Sequence, residues 1–254
     1  MTKENQDDKD KKKDNVTRFP GSDRERQQWY ADKNKNEAPP PPKPDHGPLF
    51  NLPPATQKLV MFLIAVHIVI HVVVRYLAPG GEMTTWKILY TLGFIPASYT
   101  GPIPFDIYAV ISPLTHMALH SGWGHLLMNS GMILAFGTIL ERLVGEKAMM
   151  QIFIASGLAG ALMHLAFYPM NVQPLIGASG GLSGLFGVMM IIMTEQRGGG
   201  KKQLYILAGL WIAISLLFGG IGMGDTQNIA WTAHIGGMFG GMGLFYYWRR
   251  KRYR

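Results

Sequence analysis

Pro174-Leu-Ile-Gly-Ala-Ser-Gly-Gly-Leu-Ser-Gly-Leu-Phe-Gly187 places two serines among five glycines at the start of an apolar segment. Far downstream, Ala233-His-Ile-Gly-Gly-Met-Phe-Gly-Gly241 places one histidine among glycines near the start of another. A serine hydroxyl is a poor nucleophile until a base takes its proton, and histidine is the commonest such base. Gly180/Gly184 and Gly236/Gly240 are spaced i, i+4, which lays a side-chain-free groove along each helix and lets two helices approach closely. Ser179 and Ser183 are both candidate nucleophiles at this point, and His234 is the candidate base. Whether they meet depends on how the chain between them is threaded.

Outward from these motifs the chain divides into two chemically different pieces. Residues 1–54 form a charged, Pro-rich head that ends beyond the Pro39–Pro42 run. Its first 50 residues hold 11 Lys and Arg against 10 Asp and Glu, with few aliphatic residues. Such a segment buries too little apolar surface to offset its chain entropy, and disorder is expected. Its acids cancel its bases, which argues against a nucleic-acid arm, and no apolar core follows the first charges as in a signal peptide. Most of the net charge of +8 lies beyond the head, and five bases fall within Arg249-Arg-Lys-Arg-Tyr-Arg254. A basic cluster just after an apolar segment fits a membrane flank. The absence of cysteine excludes disulfides, thiolate chemistry and Cys-based zinc sites.

About 20 apolar residues suffice to cross a bilayer as a helix. Six stretches qualify, at about 58–78, 123–143, 147–168, 177–193, 203–221 and 230–248, within a membrane domain over 55–248. Residues 79–107, with scattered Pro and Gly, are expected to connect the first two. Ser112-Pro113 and the polar turn 120–124 are expected to delay the second span to Trp123. The fold class is therefore an all-α, six-helix membrane bundle. Arg142, Lys147, Arg197, Lys201, Lys202 and the basic tail 249–254 lie on one side, whereas connections 169–176 and 222–229 carry no Lys or Arg. By the positive-inside rule both termini are cytoplasmic, and spans two, four and six start outside. A bacterial plasma membrane is the expected setting.

That parity brings Ser179 and His234 to the outer ends of spans four and six. His125 and Asn129, at i, i+4 near the start of span two, project to one face at the same depth. Donors aimed at the developing oxyanion of acyl transfer lower its barrier, and backbone amides at the start of span four would join them.

With these motifs the chain resembles the rhomboid family of intramembrane serine proteases over about residues 58–248. The shared features are Gly177-Ala-Ser-Gly180 with Gly184 and Gly187, Ala233-His-x-Gly-Gly237, and His125-x-x-x-Asn129 preceded by Ser121-Gly-Trp123. Glu141-Arg142 and Leu92-Gly-Phe-Ile-Pro96 also look like this family. The resemblance implies a Ser–His dyad, with Ser179 as nucleophile and His234 as general base and then acid. It also implies an oxyanion site made by the Ser179 backbone N–H, His125 and Asn129, with Gly177, Gly180, Gly184, Gly236 and Gly237 as motif glycines. No cofactor or metal is expected. The expected partners are the lipid bilayer and transmembrane protein substrates, cleaved near the outer surface. Ser179, unlike Ser183, is followed by glycines at +5 and +8, as family sequences are. Some family members carry an aromatic at the position of Ser183, packed under the base. Here another group must hold His234, and Phe186 is a candidate by proximity.

His67/His71 and His116/His120 are i, i+4 pairs without an obvious third zinc ligand, and a structural role is expected for both. His71 and Arg75 are expected to reach the interface, and His164 to pack as a neutral, hydrogen-bonded group. The Gly-rich run 219–224 is a candidate hinge for a cap over the site. A transporter would also use glycine-broken helices, but it would call for inverted repeats and mid-membrane acids that this chain lacks.

Overall fold

The computed structural model describes residues 52–196, 198, 200–221 and 231–252, with Arg24, Gln27 and Gln28 of the head. Contacts divide the chain into a unit Met1–Asn51 and a unit Leu52–Arg254. The rest of the head, where disorder is expected, lies outside the described residues, as do residues 222–224 of the candidate hinge; its first three, Gly219-Gly220-Ile221, are helical.

The described part of the second unit is helical. Helix α1 covers Pro54–Leu77 and widens to a π-helix over Val69–Val74. It is followed by α2 (Gly81–Leu92), α3 (Ala97–Thr100) and α4 (Ile107–Ala118). Then come α5 (Trp123–Val144), α6 (Glu146–Phe167), α7 (Ser179–Gln196), α8 (Lys201–Ile221) and α9 (Trp231–Arg252). Helices α1, α5 and α6 are each long and apolar enough to cross a membrane. The structure runs α9 through Arg252, so most of the basic tail expected from residue 249 is helix.

The faces of these helices separate two apolar environments. Leu63, Leu126, Ile133, Leu140, Met149, Ile152 and Leu185 are buried together. Met61, Phe62, Leu127, Met128 and Leu162 are each more than half exposed. An apolar girdle of this kind suits lipid and would promote aggregation in water.

The connection over 79–107 is more structured than its composition predicts. Helix α2 stands in it with Met83, Trp86 and Tyr90 on its exposed side, and α4 continues through Pro113. A proline inside a helix leaves the carbonyl four residues back without its usual donor. Here that carbonyl, on Ala109, accepts from the Tyr99 hydroxyl and from Ser112 Oγ at 3.3 Å. The helix survives because α3 supplies the missing partner.

Helix α5 passes to α6 through Gly145 alone, at φ +87°, a conformation that favours glycine. At the same end of α5, buried Glu141 accepts from Ala55 N at 2.9 Å and from Thr56 N and Thr56 Oγ1 at 2.7 Å each. The carboxylate satisfies otherwise unpaired amides at the start of α1 and opposes its dipole.

Helices α6, α7 and α9 approach so closely that glycine backbone meets neighbouring backbone or the base of a side chain. A Cβ on Gly237 would stand 2.1 Å from the Gly180 carbonyl oxygen, and one on Gly160 would stand 2.6 Å from that of Ala233. A Cβ on Gly184 would fall 1.7 Å from Ser156 Oγ. Gly180 itself lies level with Gly157, since its Cβ would be 3.6 Å from the Gly157 Cα. Helix α6 then runs on ten residues further, to Phe167.

Candidate active site

The loop before α7 is tied down before the helix begins. Phe94 and Leu175 exchange backbone hydrogen bonds of 3.0 and 2.8 Å, and Gly177 N donates to the His116 carbonyl at 2.9 Å. Gly177 adopts φ +122°. Its Cβ position would lie 2.8 Å from His125 Nε2 and 3.7 Å from Ser179 Oγ. A side chain there would be strained and would fill the space that these two atoms border. Gly177 is thus required twice, once by conformation and once by volume.

Ser179 is the first residue of α7 and is partly exposed. Ser183 differs in both respects. It is fully buried, and its hydroxyl donates 2.8 Å to the Ser179 carbonyl oxygen. A hydroxyl already committed to the preceding turn, with no access, is poorly placed for attack.

His234 follows Ala233, whose carbonyl abuts both Gly160 and Gly180, and it precedes Gly237, which abuts Gly180. The structure therefore brings His234 beside the first turn of α7, where Ser179 lies. Among the described residues no hydrogen bond joins the Ser179 hydroxyl to the His234 ring. Such bonds are often long in a free enzyme and tighten when substrate binds. Phe186 does not pack under His234. It packs, tilted, against Trp211 at 4.4 Å and Phe136 at 4.9 Å between ring centroids, toward α8 and α5. The start of α9 is held from α6 instead, through His164 Nδ1 and Thr232 Oγ1 at 2.9 Å.

Just before α5, Ser121 Oγ lies 3.2 Å from His125 Nδ1. Asn129 is buried and donates one amide hydrogen to the His125 carbonyl at 3.0 Å, which leaves its second N–H uncommitted to that bond.

The histidine pairs reach places that the sequence did not foretell. His71, expected at the interface, turns inward so that its Nε2–H donates to the His120 carbonyl at 2.9 Å. Arg75 meets Glu82 at 3.4 Å on the exposed side. His67 stacks on His71 at 4.1 Å and meets the Trp123 ring edge-on at 4.6 Å. His116 Nδ1 bonds the Ser112 carbonyl at 3.1 Å. Among the described residues no group of three or more His, Asp or Glu side chains is arranged to hold a metal ion.

Residues 108–251 match the Rhomboid domain. The chain belongs to the rhomboid family. YdcA of Bacillus subtilis (strain 168), provisionally named a rhomboid protease, is 31% identical over 143 residues, which is 56% of this chain and 68% of that one. Rhomboid protease GluP of the same organism is 32% identical over 128 residues, 50% of this chain and 24% of GluP. RHOMBOID-like protein 6, mitochondrial, of Arabidopsis thaliana is 34% identical over 133 residues, 52% of this chain and 41% of that protein. The chain thus spans two thirds of YdcA, but only a quarter of GluP and two fifths of the Arabidopsis protein. It is an integral membrane protein and a rhomboid-type intramembrane serine protease. The motifs at His125–Asn129, Glu141-Arg142, Gly177–Gly187 and Ala233–Gly237 lie inside the region that matches the rhomboid domain, whereas Leu92–Pro96 lies before it.

Proposed function

We propose that this rhomboid uses Ser179 and His234 as a catalytic dyad to cleave transmembrane segments of other membrane proteins near the outer face of the bilayer. His234 takes the Ser179 proton as the hydroxyl oxygen attacks the scissile carbonyl carbon. The tetrahedral oxyanion accepts hydrogen bonds from the Ser179 backbone N–H, His125 Nε2–H and Asn129 Nδ2–H. Collapse breaks the C–N bond, and His234 returns its proton to the departing amine. Water then enters with His234 again as base, which releases the acid product and restores Ser179.

The observation that carries this reading is the approach of His125 Nε2 and Ser179 Oγ to the same glycine, at 2.8 and 3.7 Å from the Cβ position of Gly177. A nucleophile and an oxyanion donor must share such a point for a carbonyl to sit between them. The commitment of the Ser183 hydroxyl to the Ser179 carbonyl supports Ser179 over its neighbour.

The remaining parts of the proposal follow from the spans and charges. Helices α1 and α5–α9 supply six crossings in a bacterial plasma membrane, with both termini cytoplasmic. The protease domain occupies 55–248, and no cofactor takes part. A serine-directed phosphonate tests the assignment, since mass spectrometry should find the adduct on Ser179. Ser179→Ala should abolish both labelling and cleavage of a single-span substrate without altering thermal unfolding. An adduct on Ser183 alone would overturn the dyad.

A further inference from the structure

We infer that Ser121 is a positioning residue for the reaction: its hydroxyl fixes the His125 ring as the Nε2–H tautomer, aimed at the space beside Ser179. The inference rests on His125 serving as an oxyanion donor, and it adds the group that makes it one.

A neutral imidazole carries one proton, and the bond made by one ring nitrogen decides which nitrogen holds it. His125 Nε2 faces the Gly177 space. Donation to an oxyanion therefore needs hydrogen on Nε2 and a lone pair on Nδ1. The group at Nδ1 is Ser121 Oγ, at 3.2 Å. Its O–H can donate to that lone pair, and among the described residues this nitrogen is its one hydrogen-bond partner. The reverse arrangement, Nδ1–H to Oγ, would turn the Nε2 lone pair toward the developing negative charge.

The serine is itself held. It lies in the extended turn between α4 and α5, outside both helices, where backbone hydrogen bonds alone would not fix it. Helix α1 clamps that turn from the side, through His71 Nε2–H donating to the His120 carbonyl at 2.9 Å. The clamp comes from the π-helical stretch Val69–Val74, and irregular turns of this kind recur at functional sites. The His120 ring meets His125 edge-on at 5.0 Å and 71°. Both His120 ring nitrogens are buried without a hydrogen-bond partner, so this ring acts on His125 by packing. Ser121 Oγ is left as the hydrogen-bonding group at His125 Nδ1 among the described residues.

The test uses the full-length protein in detergent, labelled with 15N at histidine, with the His125 signals assigned from a His125→Gln variant. The wild type should show a protonated Nε2 and a bare Nδ1 at His125. In Ser121→Ala the His125 signals should shift toward a mixture of tautomers. The kcat should fall by on the order of tenfold with KM little changed, as when a ligand-orienting neighbour is removed. Ser121→Thr, which keeps a hydroxyl, should restore both. An Nδ1–H tautomer in the wild type, or unchanged signals and kcat in Ser121→Ala, would overturn the inference. The spectrum needs no turnover. If His125→Gln retained wild-type kcat, the oxyanion role itself would fail, whatever the tautomer proved to be.

Discussion

Two halves of the bundle hold the site by opposite means. On the α6–α7–α9 side, backbones touch: Gly184, Gly237 and Gly241 leave no room even for a methyl group. On the α1–α5 side, side chains intervene, with Glu141 bonding the start of α1 and His71 bonding the turn before α5. The first contact has no compliance, because backbone cannot rotate out of the way. The second can relax, because side chains change rotamer. Ser179 and His234 stand on the rigid half, and His125 and Asn129 on the adjustable one. Lipid supplies little hydrophobic drive between helices, so close backbone packing and internal hydrogen bonds carry association on each side.

Substitutions should separate these halves by size of effect. The largest is expected for Gly237→Ala, whose Cβ would stand 2.1 Å from the Gly180 carbonyl oxygen. Overpacking against backbone should cost about 3 kcal/mol or more and remove cleavage with it. Thermal unfolding in detergent would report this, and wild-type stability would show that the α7–α9 contact is softer than its geometry. Glu141→Gln comes next. It replaces one carboxylate oxygen with a donor that faces the Ala55 amide or, at the other oxygen, the amide and hydroxyl of Thr56. The loss should be about 1–3 kcal/mol. Paired with Thr56→Val in a double-mutant cycle, it should show a coupling energy, and strict additivity would mean that the clamp does not act as a unit.

Ser183→Ala should do far less. The hydroxyl bonds only its own helix, so stability should stay within about 1 kcal/mol and cleavage should persist. Abolished cleavage in a folded Ser183→Ala variant would contradict the choice of Ser179. Gly243→Ala is the smallest. It lies in the same helix as Gly237, yet its Cβ would meet nothing within 4 Å. A gain of up to about 1 kcal/mol is expected, from the better helix propensity of alanine.

Much of the helical frame was legible, because a run of apolar residues has one economical conformation in lipid. The expected spans at 123–143 and 147–168 fall within a residue or two of α5 and α6. Helices α2 and α4 were not legible as such. Gly81–Leu92 mixes Glu, Thr and Lys with its aromatics, and the helical path through Pro113 depends on a Tyr99 hydroxyl 14 residues away. The site was legible in its residue types and not in its supports. Gly177 reads as a motif glycine from the sequence, but its proximity to His125 Nε2 arises only when α5 lies against the α7 loop. Phe186 looked available to His234 by sequence distance alone, and helix periodicity turned it toward Trp211 instead. The bond from His71 to the His120 carbonyl was not legible either, since it arises only when α1 packs beside the turn before α5.

The depth of Gly180 against α6 bears on kinetics. Ten residues of α6 continue past Gly157, a rise of about 15 Å. The first turn of α7 therefore lies well short of the far end of α6. If Ser179 is the nucleophile, hydrolytic water reaches it past that longer neighbour, whereas the scissile peptide arrives with the substrate. Acylation and deacylation then draw on different supplies, one lateral and one vertical. Under such a division the acyl-enzyme waits on hydration, and a pre-steady-state burst of the amine-bearing fragment is the natural signature of the architecture.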